Sequence, residues 1–239
     1  MLFRWCCESS TRKWVGGAVY GGGMGEMVEQ VDGRRARRER GRRAVVEAAF
    51  ELVLAGKVPP TAEDVAGRAG VSVSSVFRYF DGLDDLQRAA FQLFRQRYAH
   101  LLEPGDPAGP DRSDRVAAFV KTRVELFDAA GPMLQFARQR ALDHEPLVEA
   151  VARNREELAR QTRRAFAAEI DRLTPAEAAD LCAVVDSATS PEAHHVMRAA
   201  HGRSSRQIAR AWTSALVALF DGWPASGSGT TRTRTETDA

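Results

Sequence analysis

The stretch Ala62–Phe80, AEDVAGRAGVSVSSVFRYF, decides how the chain is organised. Val65, Ala66 and Ala69 share one face of a short helix predicted over 62–69, which Thr61 can cap. Gly70 ends that helix at a position suited to left-handed backbone. Ser72 can cap the next helix, predicted over about 73–80. Two short helices joined by Ala69-Gly70-Val71-Ser72 have the grammar of a helix-turn-helix. On the second of them Val76 and Phe80 fall on one side and pack on the preceding helices. Ser74 and Arg78 point away, flanked by Ser75 and Phe77.

Working outward, Val45, Val46, Ala49, Leu52 and Val53 form an apolar stripe, predicting a first helix over about 37–56 that stops at Gly56. Pro59-Pro60 turns the chain toward Thr61. After the Asp81-Gly82 break a long helix carries Leu86, Ala90, Leu93, Phe94 and Leu101 inward as far as about Leu102. Glu103–Arg112, EPGDPAGPDR, is a connector rich in proline and glycine. Further helices are predicted over 113–130, 132–142, 145–173, 175–189 and 205–220, with a looser piece over 191–201. Thr174-Pro175-Ala176-Glu177 combines a cap hydroxyl, proline at the first helical position and a glutamate that reaches back. No sustained alternation suggests a strand. The expected fold is all-α, with an N-terminal three-helix unit followed by a helical bundle.

Composition narrows the function. Hydrophobic residues make up 44% and charged residues 28% of 239, the balance of a soluble globular protein with a sizeable core. No apolar run is long enough for a membrane span. The three cysteines, Cys6, Cys7 and Cys182, form neither a disulfide framework nor a zinc motif. His144, His194, His195 and His201 match no standard metal spacing, so neither metal nor cofactor is expected. There is no phosphate loop, nucleophile elbow or acid/base pair. Asp84-Asp85 and Glu156-Glu157 are explained by helix starts and surface charge, so the chain is not expected to be an enzyme.

The net charge is only +2 but is unevenly placed. Arg34, Arg35, Arg37, Arg38, Arg40, Arg42 and Arg43 crowd ten residues containing one acid, Glu39. Because arginine dominates lysine throughout, codon bias is the first explanation of that composition. The run nonetheless suits phosphate contact or entry into a minor groove. A helix whose outer face is small, hydroxyl-bearing and cationic suits a DNA major groove. Ser74 permits close approach, Ser75 can bond a base edge or phosphate, and Arg78 can fork onto guanine. Arg68 and Arg88 are expected to be ordinary surface residues.

Residues 42–91, from RRAVVEAAF through VFRYFDGLDDLQRAAF, closely resemble the DNA-binding domain of TetR-family transcriptional regulators. The resemblance is concentrated in Ala62–Phe80 and the acidic helix start after it. It implies that Ser72, Val73, Ser74, Ser75, Phe77, Arg78 and Tyr79 face DNA, joined by Thr61 and by Arg42 and Arg43 of the arm. Phe77 stands where the family commonly has tyrosine and Leu83 where it commonly has lysine. Two phosphate contacts are therefore missing, which the arginine arm would offset. The resemblance also implies a homodimer on a palindromic operator, paired through the helices over 175–189 and 205–220, and a cytoplasmic, nucleoid-associated repressor.

The expected organisation is a 1–33 extension without fixed structure, a DNA-binding domain over 34–82, a connecting helix over 83–102, a ligand-binding and dimerisation domain over 103–222, and a disordered tail over 223–239. Met24 or Met27 is the expected true translation start. Phe119, Phe127, Met133, Phe136, Phe166 and Trp212 could line a pocket for an apolar small-molecule effector, with Gly131-Pro132 near its mouth. The competing reading is a helical small-molecule-binding or enzymatic protein whose helix-turn-helix mediates only protein contacts.

Overall fold

The computed structural model describes residues 24–103, 109, 111–142 and 145–223, and every regular element among them is an α-helix. The extension up to residue 23, most of the Pro/Gly-rich connector, His144 and the tail beyond Trp223 lie outside the described residues. The described residues divide into two compact units, one up to Glu39 and the other from Arg40 onward. In the first, helix α1 (Met24–Leu54) begins and residues 33–39 are exposed. The helix therefore starts at Met24 instead of near residue 37, and residues 24–33 are not the unstructured stretch expected. The apolar stripe begins only at Val45. Upstream, straight-chain Arg, Glu and Gln favour helix through propensity and leave no periodic trace.

The second unit holds the rest of α1 and then α2 (Ala62–Ala69), α3 (Val73–Tyr79), α4 (Leu83–Arg97) and α5 (Ala99–Leu102). The bundle continues with α6 (Arg112–Ala141), α7 (Glu145–Ala165), α8 (Ala167–Ile170), α9 (Pro175–Ala188), α10 (Pro191–Ala199) and α11 (Ser205–Gly222). One contiguous buried cluster runs from Val45, Phe50, Val65 and Phe80 through Leu86 and Phe94 to Phe119, Phe127, Phe166, Trp212 and Phe220. Packing therefore draws no boundary at 82 or 102.

Three further helix boundaries differ from the sequence expectation. The break at Gly131-Pro132 is absent, because α6 runs straight through Pro132. Proline removes one backbone hydrogen bond there. Burial of Ala130, Met133, Leu134, Phe136 and Ala137 on either side holds the helix together. The predicted 83–102 helix is split at Tyr98, whose ring packs near Phe94 and Phe50 and whose hydroxyl donates to the Ala129 carbonyl at 3.3 Å. The predicted 145–173 helix is split at Phe166, which is fully buried. The start of α9 is built as its sequence suggests. Thr174 N–H donates to Glu177 Oε2 at 2.9 Å, and Glu177 N–H donates to Thr174 Oγ1.

A candidate nucleic-acid interface

The site begins with the caps of two short helices. Thr61 Oγ1 accepts from the Asp64 amide at 3.1 Å, and Asp64 Oδ2 accepts from the Thr61 amide at 3.2 Å. Lys57 Nζ lies 2.5 Å from Asp64 Oδ1. The Lys57 ammonium first, then the Thr61 amide and hydroxyl, hold the Asp64 carboxyl below its ordinary range. Gly70 ends α2 with φ 66°, the left-handed conformation expected there, and its amide closes back on α2. The chain then turns into α3 with Ser72 as its cap.

Ser72 Oγ accepts from the Ser75 amide at 3.2 Å and lies 3.0 Å from Ser74 Oγ and 2.9 Å from Ser75 Oγ. Arg78 donates through Nη2 to Ser75 Oγ at 3.1 Å. The hydroxyls and the guanidinium thus form one connected polar strip along α3. Beneath it Val76 is 2% and Phe80 3% exposed, while Phe77 on the outer face is 55% exposed. Ser72, Ser74 and Arg78 are exposed as well; Val73, Ser75 and Tyr79 are half-buried. This is the division of faces that the sequence predicted for α3.

The surroundings of α3 brace it. The Arg42 guanidinium stacks 4.8 Å above the Phe80 ring, and the Arg78 guanidinium lies 5.6 Å from the Tyr79 ring centre. Arg43 is exposed. Arg68 pairs with Glu51 at 2.7 Å and ties α2 to α1, while Arg97 pairs with Glu47 at 2.7 Å and ties α4 to α1. Sequence reasoning missed those ties and the close approach of Gly41 to Tyr79. Periodicity carries no signal for a contact made between separate helices. Leu83 is exposed at the first turn of α4, next to Asp84 and Asp85, and Asp85 is paired with Arg88 at 3.8 Å one turn on.

The six residues expected to line one effector pocket fall in three places. Phe127 lines a cavity of about 430 Å³ between α6 and α10. Met133 and Phe136 line a narrow gap of about 30 Å³ between the bundle and α1, α2 and α4. Phe119 and Phe166 stack edge to face at 5.1 Å in the core, and Trp212 packs against Phe127; these three line neither space. Helical spacing identifies an apolar face but not what stands opposite it, so aromatic side chains that close the core look like pocket walls. Gly131 and Pro132 do line the 430 Å³ cavity.

Two buried polar groups stand near these spaces. His194 Nε2 lies 3.1 Å from Asp128 Oδ1, with the Phe127 and Trp212 rings beside the imidazole. Burial pushes the His194 pKa below its ordinary value, more than Asp128 restores. Arg123 is 1% exposed. It donates to the Leu158 carbonyl at 2.7 Å, Thr162 Oγ1 at 3.1 Å and Asp186 Oδ1 at 3.2 Å. Burial lowers the Arg123 pKa to about 10, so it stays charged at neutral pH. Among the described residues no group of three or more His, Cys, Asp or Glu side chains could hold a metal ion. Among the same residues no helix is long and apolar enough to cross a membrane.

With the geometry in hand, the comparisons define the fold class. The architecture is shared with a protein of Rhodococcus sp. assigned to the TetR family of transcriptional regulators, at TM-score 0.53 and 19% identity, covering 76% of this chain and 99% of that one. A protein of Streptomyces coelicolor A3(2) assigned as a transcriptional regulator aligns at TM-score 0.53 and 18% identity, over 73% of this chain and 97% of that one. The chain thus has the all-α fold of TetR-type regulators, a helix-turn-helix unit on a helical bundle.

In sequence, the chain is similar to the HTH-type transcriptional repressor LfrR of Mycolicibacterium smegmatis, 33% identical over 99 residues, or 41% of this chain. The match spans 50% of that repressor's length. No protein-family model matches the chain.

Proposed function

We propose that the chain is a ligand-responsive, homodimeric transcriptional repressor that reads a palindromic operator through α3. The observation that carries this reading is the outward strip of Ser74, Phe77 and Arg78, anchored from beneath by Val76 and Phe80. Ser72, Ser74, Ser75 and Arg78 supply the polar contacts to base edges and phosphates, and Val73, Phe77 and Tyr79 supply apolar ones. Thr61, Arg42 and Arg43 contact the backbone at the rims. A lone helix-turn-helix discriminates poorly, so two copies read half-sites spaced by whole helical turns. The small exposed residues Ala183 and Val184 of α9, and Ala211, Ala215 and Ala218 of α11, suit close pairing of helices across a two-fold axis. The reading assigns no catalysis and places the protein in the cytoplasm, on the nucleoid when bound.

An effector in the bundle would favour one spacing of the two reading helices, by as much as its affinity differs between the two states. The test is selection of bound fragments from random duplex DNA, followed by gel-shift titration at several salt concentrations. A regulator enriches a palindrome and its affinity falls linearly with salt on a log–log plot. Arg78→Ala costs about 1–3 kcal/mol of that affinity where the residue forks onto a base. Recovery of no preferred sequence overturns the reading.

A further inference from the structure

Three spaces in the bundle meet at the first turn of α10. One is the cavity of about 430 Å³ against α6, another a cavity of about 470 Å³ along α7 and α9, and the third a gap of about 40 Å³ between them. Pro191 and Glu192 line all three. Arg138 of α6 is ion-paired with Glu192. Arg155 of α7 lines both the gap and the 470 Å³ cavity, and no carboxylate pairs with it among the described residues. Burial first, and then the charge of Arg155, press the Arg138 pKa below its ordinary value. Glu192 is therefore ion-paired with one of two mutually repelling arginines, and Arg155 is left without a carboxylate partner among the described residues.

Two further features mark the place as built for a polar occupant. Asn154 is buried and lines the gap, with Oδ1 left without a hydrogen-bond partner. Buried polar atoms are ordinarily satisfied, and this oxygen accepts, so the empty space beside it invites a donor: a water that bonds to Oδ1 and in turn donates to an anion. The amide end of α10, capped by Ser190 Oγ on the Ala193 amide at 3.0 Å, adds its partial positive charge. Arg123, Arg138, Arg155 and Arg198 outnumber Asp128, Asp186 and Glu192 around these walls. The neighbouring 430 Å³ cavity has the volume of a small-molecule site and apolar wall residues in Phe127, Pro132, Leu134 and Val196.

We propose that Glu192 is the resident occupant of a carboxylate site, and that the effector is an amphipathic organic anion. Its charged head replaces Glu192 on Arg138 and also pairs with Arg155, and its apolar part enters the cavity beside Phe127 and Val196. Replacement unfastens α10 from α6 and frees the segment that leads into α11. That regulatory consequence rests on the repressor reading above; the anion site itself does not.

Calorimetric titration of the full chain with sodium decanoate, and with 1-decanol as the uncharged control, tests it. Decanoate is expected to bind at least about tenfold more tightly than decanol. Arg155→Gln, at an exposed position whose loss leaves the core intact, weakens decanoate by about tenfold. Glu192→Gln removes the internal competitor and tightens it several-fold. Equal affinity for the alcohol, an unchanged constant in Arg155→Gln, or no decanoate binding at millimolar concentration overturns the proposal. A parallel gel shift without decanoate keeps the outcomes apart. Normal operator binding with failed titrations sinks only the anion site, whereas absent operator binding sinks the repressor reading.

Discussion

A Cβ placed on Gly41 of α1 would lie 2.4 Å from the phenolic oxygen of Tyr79 and 2.7 Å from its Cζ. The bare backbone at residue 41 therefore sets where the Tyr79 ring rests at the end of α3. Gly41→Ala has two effects of opposite sign. A mid-helix alanine gains about 0.5–1 kcal/mol over glycine, while the Tyr79 ring must swing aside. The expected outcome is a melting temperature within about 3 °C of wild type together with a several-fold loss of operator affinity. A loss of thermal stability without loss of DNA binding would remove Tyr79 from the interface.

Ser72 serves α3 as its cap and also touches Ser74 and Ser75. Ser72→Ala leaves the Ser75 amide without that acceptor and loosens the start of a seven-residue helix. A cost of about 1 kcal/mol is expected, seen as a drop of about 2–4 °C in melting temperature. Operator affinity should fall with it, and Ser72→Asp should recover the stability but not the affinity, since it sets a negative charge against phosphate.

The buried Arg123 and the half-buried Asp186 make an ion pair 3.2 Å apart, with Thr162 Oγ1 donating to the same carboxylate oxygen at 2.5 Å. Arg123→Met strips the carbonyls of Leu158 and Thr189 of a donor and leaves Asp186 without its cation. Denaturant unfolding should register about 3–5 kcal/mol of lost stability. Adding Asp186→Leu should return part of that loss, because the uncompensated carboxylate goes too. Strict additivity of the two substitutions would show that the pair is not coupled.

His194 supplies a pH dependence. Burial disfavours its protonated form, so its folded pKa lies below the ordinary 6.5 that applies in the unfolded chain. As pH falls through about 6.5 the unfolded chain takes up the proton first and stability declines. The decline ceases once the pH passes below the folded value. Melting curves collected from pH 7.5 downward should show this slope in the wild type and a flatter one in His194→Gln.

The reading unit was legible because its signals are local. Thr61, Gly70 and Ser72 each act on residues within a turn of themselves, and the outward position of Ser74 and Arg78 follows from helical spacing once Val76 and Phe80 are buried. The capping box at Thr174 was legible for the same reason. Arg123 was not: nothing near it on α6 announces Asp186, 63 residues away on another helix. Phe119, Phe166 and Trp212 misled because spacing cannot say whether an apolar face meets a cavity or another ring, and Phe119 met Phe166. Pro132 misled because a local rule about broken helices was outweighed by burial on both of its sides. Arg138 and Arg155, on separate helices, were invisible together until α10 brought Glu192 between their walls.

Val65 of α2, Leu86 of α4 and Met133 of α6 face a single narrow gap, so the platform under α3 and the bundle share walls. Cutting the chain between α5 and α6 would strand Leu86, Phe91 and Phe94 in water, so the amino-terminal half could not be excised as a working reader. Heating should melt residues 40–223 in one calorimetric step. Any small molecule that stiffens the far end of α6 would then protect the amides of α3 from hydrogen exchange without touching them.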